Sequence, residues 1–255
     1  MMESIIRTVD AEVADFAAAV TRGAGEVLGD NLHAAYLSGS VALGGYVPGQ
    51  SDIDIMAVCR HPLPDERKRK LADAVSHVAD TCPTRGLEFV LYSRGAVATP
   101  SRSPRFEINL NAGPEMPYHL SLDPASEPSH WFVLDVSIAR EHGLRLAGPP
   151  SHEVFAPIPR SWLLDALEDS LVWHAEHETL THYSVLNACR AWRFAEEGVW
   201  SSKEAGAKWA RPRVEDPTVI DAALEIRRGQ ARRLDPSEVR AFVMGVRSRV
   251  ARIPR

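Results

Sequence analysis

YLSGSVALGGYVPGQSDIDIMAV, residues 36–58, is the stretch that decides the fold of this 255-residue chain. An apolar run through Leu37 precedes Gly39-Ser40, which predicts a strand that ends in a turn of small residues. A second strand follows the glycine-rich spacer, where Asp52 and Asp54 alternate with isoleucines. Because side chains alternate faces along a strand, both carboxylates point to one face and the isoleucines point into a core.

Two carboxylates at this spacing predict a site for a divalent cation, because a cation removes their mutual repulsion. A small number of hard oxygen ligands favours Mg²⁺, which completes its shell with water and phosphate oxygens. The turn at Gly39-Ser40 offers backbone N–H groups and a hydroxyl to such phosphates. The stretch therefore predicts a place where metal and phosphate groups meet.

The remaining patterns predict a sheet followed by helices. Residues 87–92 form a third strand, in which Glu88 faces away from its apolar neighbours and can lie beside the two aspartates. Residues 106–113 form a further strand, followed by a proline-rich loop through Pro128. Helical periodicity covers most of the other segments, namely residues 5–28, 67–79, 162–177, 183–198, 202–210, 219–228 and 236–252. Residues 131–146 suit a strand or a helix, and we favour a helix that ends at Gly148-Pro149-Pro150. Pro157 and Pro159 mark a boundary, so we expect one domain over residues 1–157 and a second over 158–255.

Composition sets limits on the partners. The chain is 45% hydrophobic and 25% charged with a net charge of −5. It therefore has no overall positive field to recruit a nucleic acid, and a small cationic partner suits it better. Three scattered cysteines, without metal spacing, are typical of reduced thiols. No apolar run reaches the roughly 18–20 residues of a membrane span, and no signal segment is recognised, so we expect a cytoplasmic protein and a monomer.

The pattern Gly39-Ser40 followed by Asp52-x-Asp54 resembles the signature of the polymerase-beta-type nucleotidyltransferase superfamily. The later part of the chain resembles the aminoglycoside 3″/9-adenylyltransferases in five collinear segments, residues 138–149, 154–159, 165–171, 189–192 and 202–210. The resemblance implies an α+β fold, with an N-terminal nucleotidyltransferase domain built on a mixed sheet and a C-terminal α-helical bundle. It also implies transfer of AMP from ATP, with Mg²⁺, to an antibiotic hydroxyl in the cleft between the domains.

The resemblance assigns roles to individual residues. Asp52 and Asp54 would hold the metal. Glu88 would act as general base for the acceptor hydroxyl, or alternatively as a third metal ligand. The residues implied to bind ATP and its phosphates are Gly39, Ser40, Ser51, Arg190 and Lys203. Those implied to bind a cationic acceptor are Trp173, Glu176 and Glu178.

Two departures from the family concern its substrates. Residues 109–114 read Asn-Leu-Asn-Ala-Gly-Pro where the resistance enzymes carry a tryptophan that lines the drug site. A family tyrosine at the phosphates falls at about Arg227. Two other functions therefore stay open: the same chemistry on a protein or tRNA acceptor, and a nucleotide-binding module that has lost catalysis.

Overall fold

The computed structural model describes residues 10–176 and 180–255, and the chain divides into two compact units after Ile158. The first unit is built on a six-stranded mixed sheet with the strand order β5-β4-β3-β2-β1-β6. Only β2 and β3 are parallel among the described strands, and every other neighbouring pair is antiparallel. The strands are β1 Leu32–Leu37, β2 Ile53–Cys59, β3 Leu87–Ser93, β4 Phe106–Gly113, β5 Met116–Ser121 and β6 Leu144–Ala147.

Helices cover both faces of this sheet. They are α1 Ala11–Leu28, α2 Gly39–Ala42, α3 Asp65–Ala79, α4 Arg94–Val97, α5 Ser129–His142 and α6 Ser151–Val154. Ile53, Ile55 and their neighbours pack against α1 and α3 in one core. Met56 and Val58, which alternate with them, pack against α5 and α6 in a second core. Alternation along one strand thus supplies residues to two apolar layers, and Asp54, two residues before Met56, points to the α5 side of the sheet.

Two parts of the first unit differ from the sequence prediction. The expected loop before Pro128 contains the strand β5, which a short turn after Gly113 joins to β4 as a hairpin. The helix predicted over residues 131–146 ends at His142, and Leu144–Ala147 forms the edge strand β6 beside β1. Gly143 caps the end of this helix, where its N–H donates to the Ala139 carbonyl at 2.8 Å and a Cβ would overlap that carbonyl.

The second unit is helical. Its helices are α7 Arg160–Glu176, α8 His182–Glu197, α9 Lys203–Ala210, α10 Thr218–Arg227 and α11 Pro236–Val250. Their starts follow ordinary capping chemistry: Thr181 caps α8 and Ser202 caps α9 by accepting backbone N–H hydrogen bonds. The predicted α+β class with a mixed sheet and a helical C-terminal part is confirmed. Within the described residues, none of the helices combines the length and the apolar character needed to cross a membrane.

Candidate active site

Asp54 and Glu88 are direct neighbours across the parallel strands β2 and β3, in the register that pairs Ile53 with Leu87 and Ile55 with Phe89. Neighbouring strands lie about 4.8 Å apart, and residues opposite each other share a face. Since the flanking residues point into the core beside α1 and α3, both carboxylates point to the other face. Both side chains are half-buried. This register agrees with the prediction that Glu88 can lie on the same face of the sheet as the aspartates.

Gly39 lets the turn after β1 lie directly against the Asp54 carboxylate. Its backbone has φ +52°, a conformation that suits glycine, and a Cβ at this position would overlap the carboxylate of Asp54. The Ser38 N–H donates to the Asp54 carbonyl at 2.9 Å and ties the turn to β2. The turn of small residues predicted after β1 is thus the short helix α2, whose backbone at Gly39 lies directly against the Asp54 carboxylate.

The Ser40 hydroxyl in α2 is available to form a hydrogen bond with a ligand. Its Oγ is buried and has no hydrogen-bond partner among the described residues. Its carbonyl accepts from the Gly45 N–H at 2.8 Å, which closes the turn around it. A buried hydroxyl without a partner is unfavourable, so a ligand oxygen that accepts from it would remove that cost. The position next to Asp54 suits a phosphate oxygen.

Ser51 anchors the loop that leads into Asp52. Its Oγ accepts from the Val47 N–H at 3.0 Å, and its own N–H donates to the Val47 carbonyl at 2.9 Å. The buried Thr84 hydroxyl donates to the Ser51 carbonyl at 2.5 Å, from just before β3. A hydrogen bond joins Thr84 to Tyr46, whose pKa is raised chiefly by burial. Ser51 and Thr84 therefore fix the chain immediately before Asp52.

Thr84 and Tyr46 carry no motif, and sequence analysis does not find them. The hydrogen bond from Thr84 to Ser51 joins residues 33 positions apart in the chain and exists only once β3 lies beside β2. Asp52 is also close enough to Cys82 to raise the pKa of that thiol, after the larger effect of burial. No pattern in the sequence identifies these contacts around Asp52.

The donor set of Asp52, Asp54 and Glu88 has the chemistry that Mg²⁺ prefers, because all three are carboxylate oxygens. Among the described residues, no three His, Cys, Asp or Glu side chains are grouped closely enough to hold an ion by themselves. Mg²⁺ usually binds through one or two carboxylates and takes its other ligands from water and phosphate. The residues therefore fit a Mg²⁺ ion that takes its remaining ligands from water or phosphate.

The second unit holds Arg190 and Lys203 on helices that touch closely. A Cβ on Gly206 would lie 2.8 Å from the Cα of Arg190, so only glycine lets α9 approach the α8 backbone here. Lys203 is the first residue of α9, and its Nζ lies 4.7 Å from the centre of the Tyr183 ring. Tyr183 and Arg190 are seven residues apart on α8 and share a face. The structure thus places both cations along the α8–α9 contact.

Two of the three residues predicted to bind an acceptor lie near the end of α7. Trp173 is half-buried near the end of α7, with its ring edge-on to His174 at a centroid distance of 5.3 Å. Glu176 is the exposed last residue of α7. Glu178 lies outside the described residues. Arg227, where the family tyrosine falls, is buried at the end of α10.

All three cysteines are buried and free. Burial raises the pKa of Cys59 and of Cys189 to about 12 and also raises the pKa of Cys82. Each thiol is therefore protonated at neutral pH, and none of the three is an activated nucleophile.

Comparison with known proteins extends these observations. Residues 153–249 match the family model described as "Aminoglycoside adenylyltransferase, C-terminal domain". The chain is 27% identical over 214 residues to a spectinomycin 9-adenylyltransferase of Staphylococcus aureus, covering 80% of this chain and 81% of the relative. It is 26% identical over 240 residues to an aminoglycoside (3″)(9) adenylyltransferase of Klebsiella pneumoniae, covering 87% of each.

A solved structure has the same fold. The crystal structure of spectinomycin adenyltransferase AAD(9) from Enterococcus faecialis, with ATP and spectinomycin, superposes with a TM-score of 0.76 at 17% identity. The match covers 93% of this chain and 99% of that one. The resemblance that the sequence motifs predict is confirmed.

Proposed function

We propose that this chain, which carries the C-terminal domain of the aminoglycoside adenylyltransferases and resembles those enzymes over most of its length, transfers AMP from ATP to a hydroxyl of an aminoglycoside or aminocyclitol. The observation that carries the proposal is the direct pairing of Asp54 with Glu88 beside the turn at Gly39. This arrangement joins a metal-binding carboxylate, a second carboxylate that can accept a proton, and a hydroxyl suited to phosphate.

In the proposed reaction, Glu88 accepts the proton of the acceptor hydroxyl while the hydroxyl oxygen attacks the α-phosphorus of ATP. A new bond forms between that oxygen and the α-phosphorus, and the bond from the α-phosphorus to the bridging oxygen breaks, so that pyrophosphate leaves. Asp52 and Asp54 would hold Mg²⁺, which when bound stabilises the charge that develops on the phosphoryl oxygens. The strand register supports this division of roles, because it fixes Glu88 one strand away from Asp54.

The ATP phosphates would be bound by hydrogen-bond donors and cations from several elements. Gly39 and Ser40 would contribute from α2, Ser51 would hold the adjoining loop, and Arg190 and Lys203 would contribute positive charge. Arginine presents a planar fork of donors and lysine a compact charge, and both bind phosphate well. The strongest support for this assignment is the buried Ser40 hydroxyl, which has no hydrogen-bond partner within residues 10–176 and 180–255.

The proposed acceptor is a small cationic molecule, for which Trp173, Glu176 and Glu178 would provide an aromatic surface and negative charge. Such an acceptor and ATP need no second copy of the chain, so a monomer is sufficient. We place the activity in the cytoplasm, where ATP is supplied and where the three free thiols remain reduced. The net charge of −5 argues against a nucleic-acid acceptor.

The test is incubation of the full chain with ATP and MgCl₂ and one acceptor at a time: spectinomycin, streptomycin, bulk tRNA or a protein mixture. Mass spectrometry then identifies the species that gains the mass of AMP, and pyrophosphate release gives the rate. Modification of an antibiotic alone supports the proposal. Modification of tRNA or protein alone would replace it, and ATP binding without any transfer would identify a nucleotide-binding module.

Variants of the two strands test the roles of the acids. Asp52→Asn and Asp54→Asn should abolish transfer while the far-ultraviolet circular dichroism stays unchanged. Glu88→Gln should retain ATP binding by calorimetry and lose roughly 10²–10⁴-fold in rate, the usual effect of losing a general base. Loss of ATP affinity in Glu88→Gln as large as in Asp52→Asn would instead make Glu88 chiefly a metal ligand.

A further inference from the structure

Three basic residues meet at the end of the sheet that lies away from the candidate active site. Arg60 directly follows β2 and Arg94 directly follows β3, and the register of these parallel strands aligns their last residues. His33 enters the same end of the sheet from β1, at a β-bulge opposite the last residues of β2. Arg60 lies six residues beyond Asp54, or about 20 Å along the chain at roughly 3.3 Å per residue. The three residues are therefore remote from the acids.

The position of Arg60 is fixed by hydrogen bonds to the chain just before β1. Its Nε donates to the Asp30 carbonyl at 3.0 Å, and its backbone N–H donates to the Asn31 carbonyl at 2.8 Å. The Asn31 side chain also holds His61, because its Nδ2 donates to the His61 carbonyl at 3.1 Å and its Oδ1 accepts from the His61 N–H at 2.9 Å. Within residues 10–176 and 180–255 the Arg60 guanidinium forms no other hydrogen bond, so its terminal nitrogens are available to a ligand.

The positive charge at this end of the sheet is not neutralised by a carboxylate. In the part of the chain that the structure describes, neither Arg60 nor Arg94 forms an ion pair, and both side chains are exposed. Burial lowers the pKa of His33, and the charges of Arg60 and Arg94 lower it further, so both guanidinium groups lie near the imidazole ring. Like charges at this range repel each other, and an anion between them would remove that repulsion.

The His33 ring presents one of its nitrogens to a ligand. Nδ1 is buried and has no hydrogen-bond partner among the described residues, although the residue as a whole is only half-buried. Nε2 is therefore the accessible nitrogen. The neutral tautomer with its proton on Nε2 leaves no buried N–H without an acceptor, which is the less costly arrangement. His33 can thus donate to an anion from Nε2 even when the ring is uncharged.

We propose that His33, Arg60 and Arg94 form a second anion site, which binds a phosphate-type oxyanion. Each arginine presents several N–H donors that match phosphate oxygens, and the imidazole donates a further hydrogen bond. Two sources could supply this chemistry, namely free phosphate and the pyrophosphate released in the reaction proposed above. The site itself does not depend on that reaction, because its three residues lie outside the candidate active site.

The experiment follows the histidine side chains of the full chain by proton NMR during titration with sodium phosphate. ATP and Mg²⁺ are omitted, and the pH and the ionic strength are held constant. His33→Gln identifies the His33 resonance by its loss. This resonance should shift and then saturate, with a dissociation constant on the order of 1 mM for a few charge-assisted hydrogen bonds at a solvated site. A second titration, with pyrophosphate, compares the two sources.

Variants of the two arginines test whether the shift reports a site. Arg94→Gln removes the charge and keeps much of the side-chain length, so the dissociation constant should rise roughly tenfold, the effect of losing one charge-assisted hydrogen bond. Arg60→Gln should have a similar effect. The matched control is Arg240→Gln, which makes the same change in net charge at an exposed position of α11 and should change the constant less than about twofold. Lys203→Ala, which alters the proposed ATP site, should also leave it unchanged.

The outcomes decide the proposal without reference to AMP transfer. A saturable shift that is weakened in Arg60→Gln and Arg94→Gln but not in Arg240→Gln supports the site. A shift that grows linearly with phosphate, or one that all three arginine variants affect equally or not at all, would reject it. Tighter binding of pyrophosphate would identify the reaction product as the ligand, and binding of phosphate at least as tight would identify free phosphate. Failure of the proposed function would leave each of these results unchanged.

Discussion

In the first unit the candidate side chains are held by the register of a sheet, whereas in the second they are held by the contact of two helices. Asp54 and Glu88 have short side chains, and the pairing of β2 with β3 determines where their carboxylates lie. Arg190 and Lys203 have long side chains at the α8–α9 contact that Gly206 makes possible. The first arrangement leaves little freedom, and the second leaves several rotatable bonds.

Each arrangement suits the chemistry that we propose for its side chains. Proton transfer and metal binding require atoms within a few tenths of an ångström of their working positions, so backbone register is a suitable support. Binding a triphosphate requires positive charge near several equivalent oxygens, which a flexible lysine can supply. A small displacement of a side chain should therefore reduce AMP transfer far more in the first unit than in the second.

The largest effect is expected for Gly39→Ala. A methyl group at this position overlaps the Asp54 carboxylate and also meets an unfavourable backbone conformation, at φ +52°. Displacing a catalytic group by about 1 Å can cost roughly 10²-fold in rate, so AMP transfer should fall at least that far. The matched control is Gly44→Ala, which has φ +64° but no atom within 4 Å of the added carbon. If both variants lost the same activity, backbone strain alone would explain the loss, and the contact with Asp54 would not matter.

A smaller effect is expected for Lys203→Ala. Losing one charge-assisted contact to phosphate should weaken ATP binding roughly 10–100-fold, measured by calorimetry with a non-hydrolysable analogue and Mg²⁺. Lys208→Ala is the control on the same helix, because Lys208 is exposed and pairs with Glu204 at 2.9 Å. Equal ATP affinity in the two variants would remove Lys203 from the nucleotide site. It would also weaken the comparison between the units.

Thr84→Val should have a moderate effect that appears in metal dependence. Valine keeps the shape of threonine and removes the hydrogen bond to the Ser51 carbonyl, so the loop before Asp52 loses its anchor. The Mg²⁺ concentration for half-maximal ATP binding should rise about three- to tenfold, in line with one lost hydrogen bond. Thr84→Ser restores the hydroxyl and should restore the Mg²⁺ dependence. A lower melting temperature with unchanged Mg²⁺ dependence would assign Thr84 to stability alone.

The smallest effect at neutral pH concerns two of the three buried thiols, Cys59 in the first unit and Cys189 in the second. The pKa of Cys59 and of Cys189 is raised from 9.0 to about 12. Because the pKa of each thiol is higher in the folded protein than in the unfolded chain, the thiol stabilises the fold at pH values below the unfolded pKa of about 9. This contribution is lost as the pH rises from about 9 to about 12. Cys59→Ala and Cys189→Ala should each flatten the decline of the melting temperature across this range. Unchanged alkaline profiles in both variants would show that the thiols do not contribute.

The sequence was sufficient for elements whose pattern is strong and local. Alternation around Asp54 and Glu88 identifies β2 and β3, and helical periodicity identifies the helices of the second unit. It was insufficient for β5 and β6, which are short strands at the two edges of the sheet and have only one neighbour each. Their identity depends on pairing with β4 and β1, which local patterns do not report.

Within the candidate site, residues of a local motif could be predicted, and residues placed by contacts between distant parts of the chain could not. The acids and the turn at Gly39 belong to a compact motif and were recognisable. Thr84 was not recognisable, because its contact with Ser51 connects distant parts of the chain through a single hydroxyl.

The parallel pairing of β2 with β3 has a consequence for insertions and deletions. The two acids are each the second residue of their strand, and the chain between the strands passes through α3. Extra residues in the loops that flank α3 would leave the acids opposite each other, because strand pairing and not chain length determines their separation. A single residue added within β3 before Glu88 would turn that carboxylate towards the core. Lengths in the loops around α3 should therefore be free to vary among related sequences, while the segment from Leu87 to Phe89 should not.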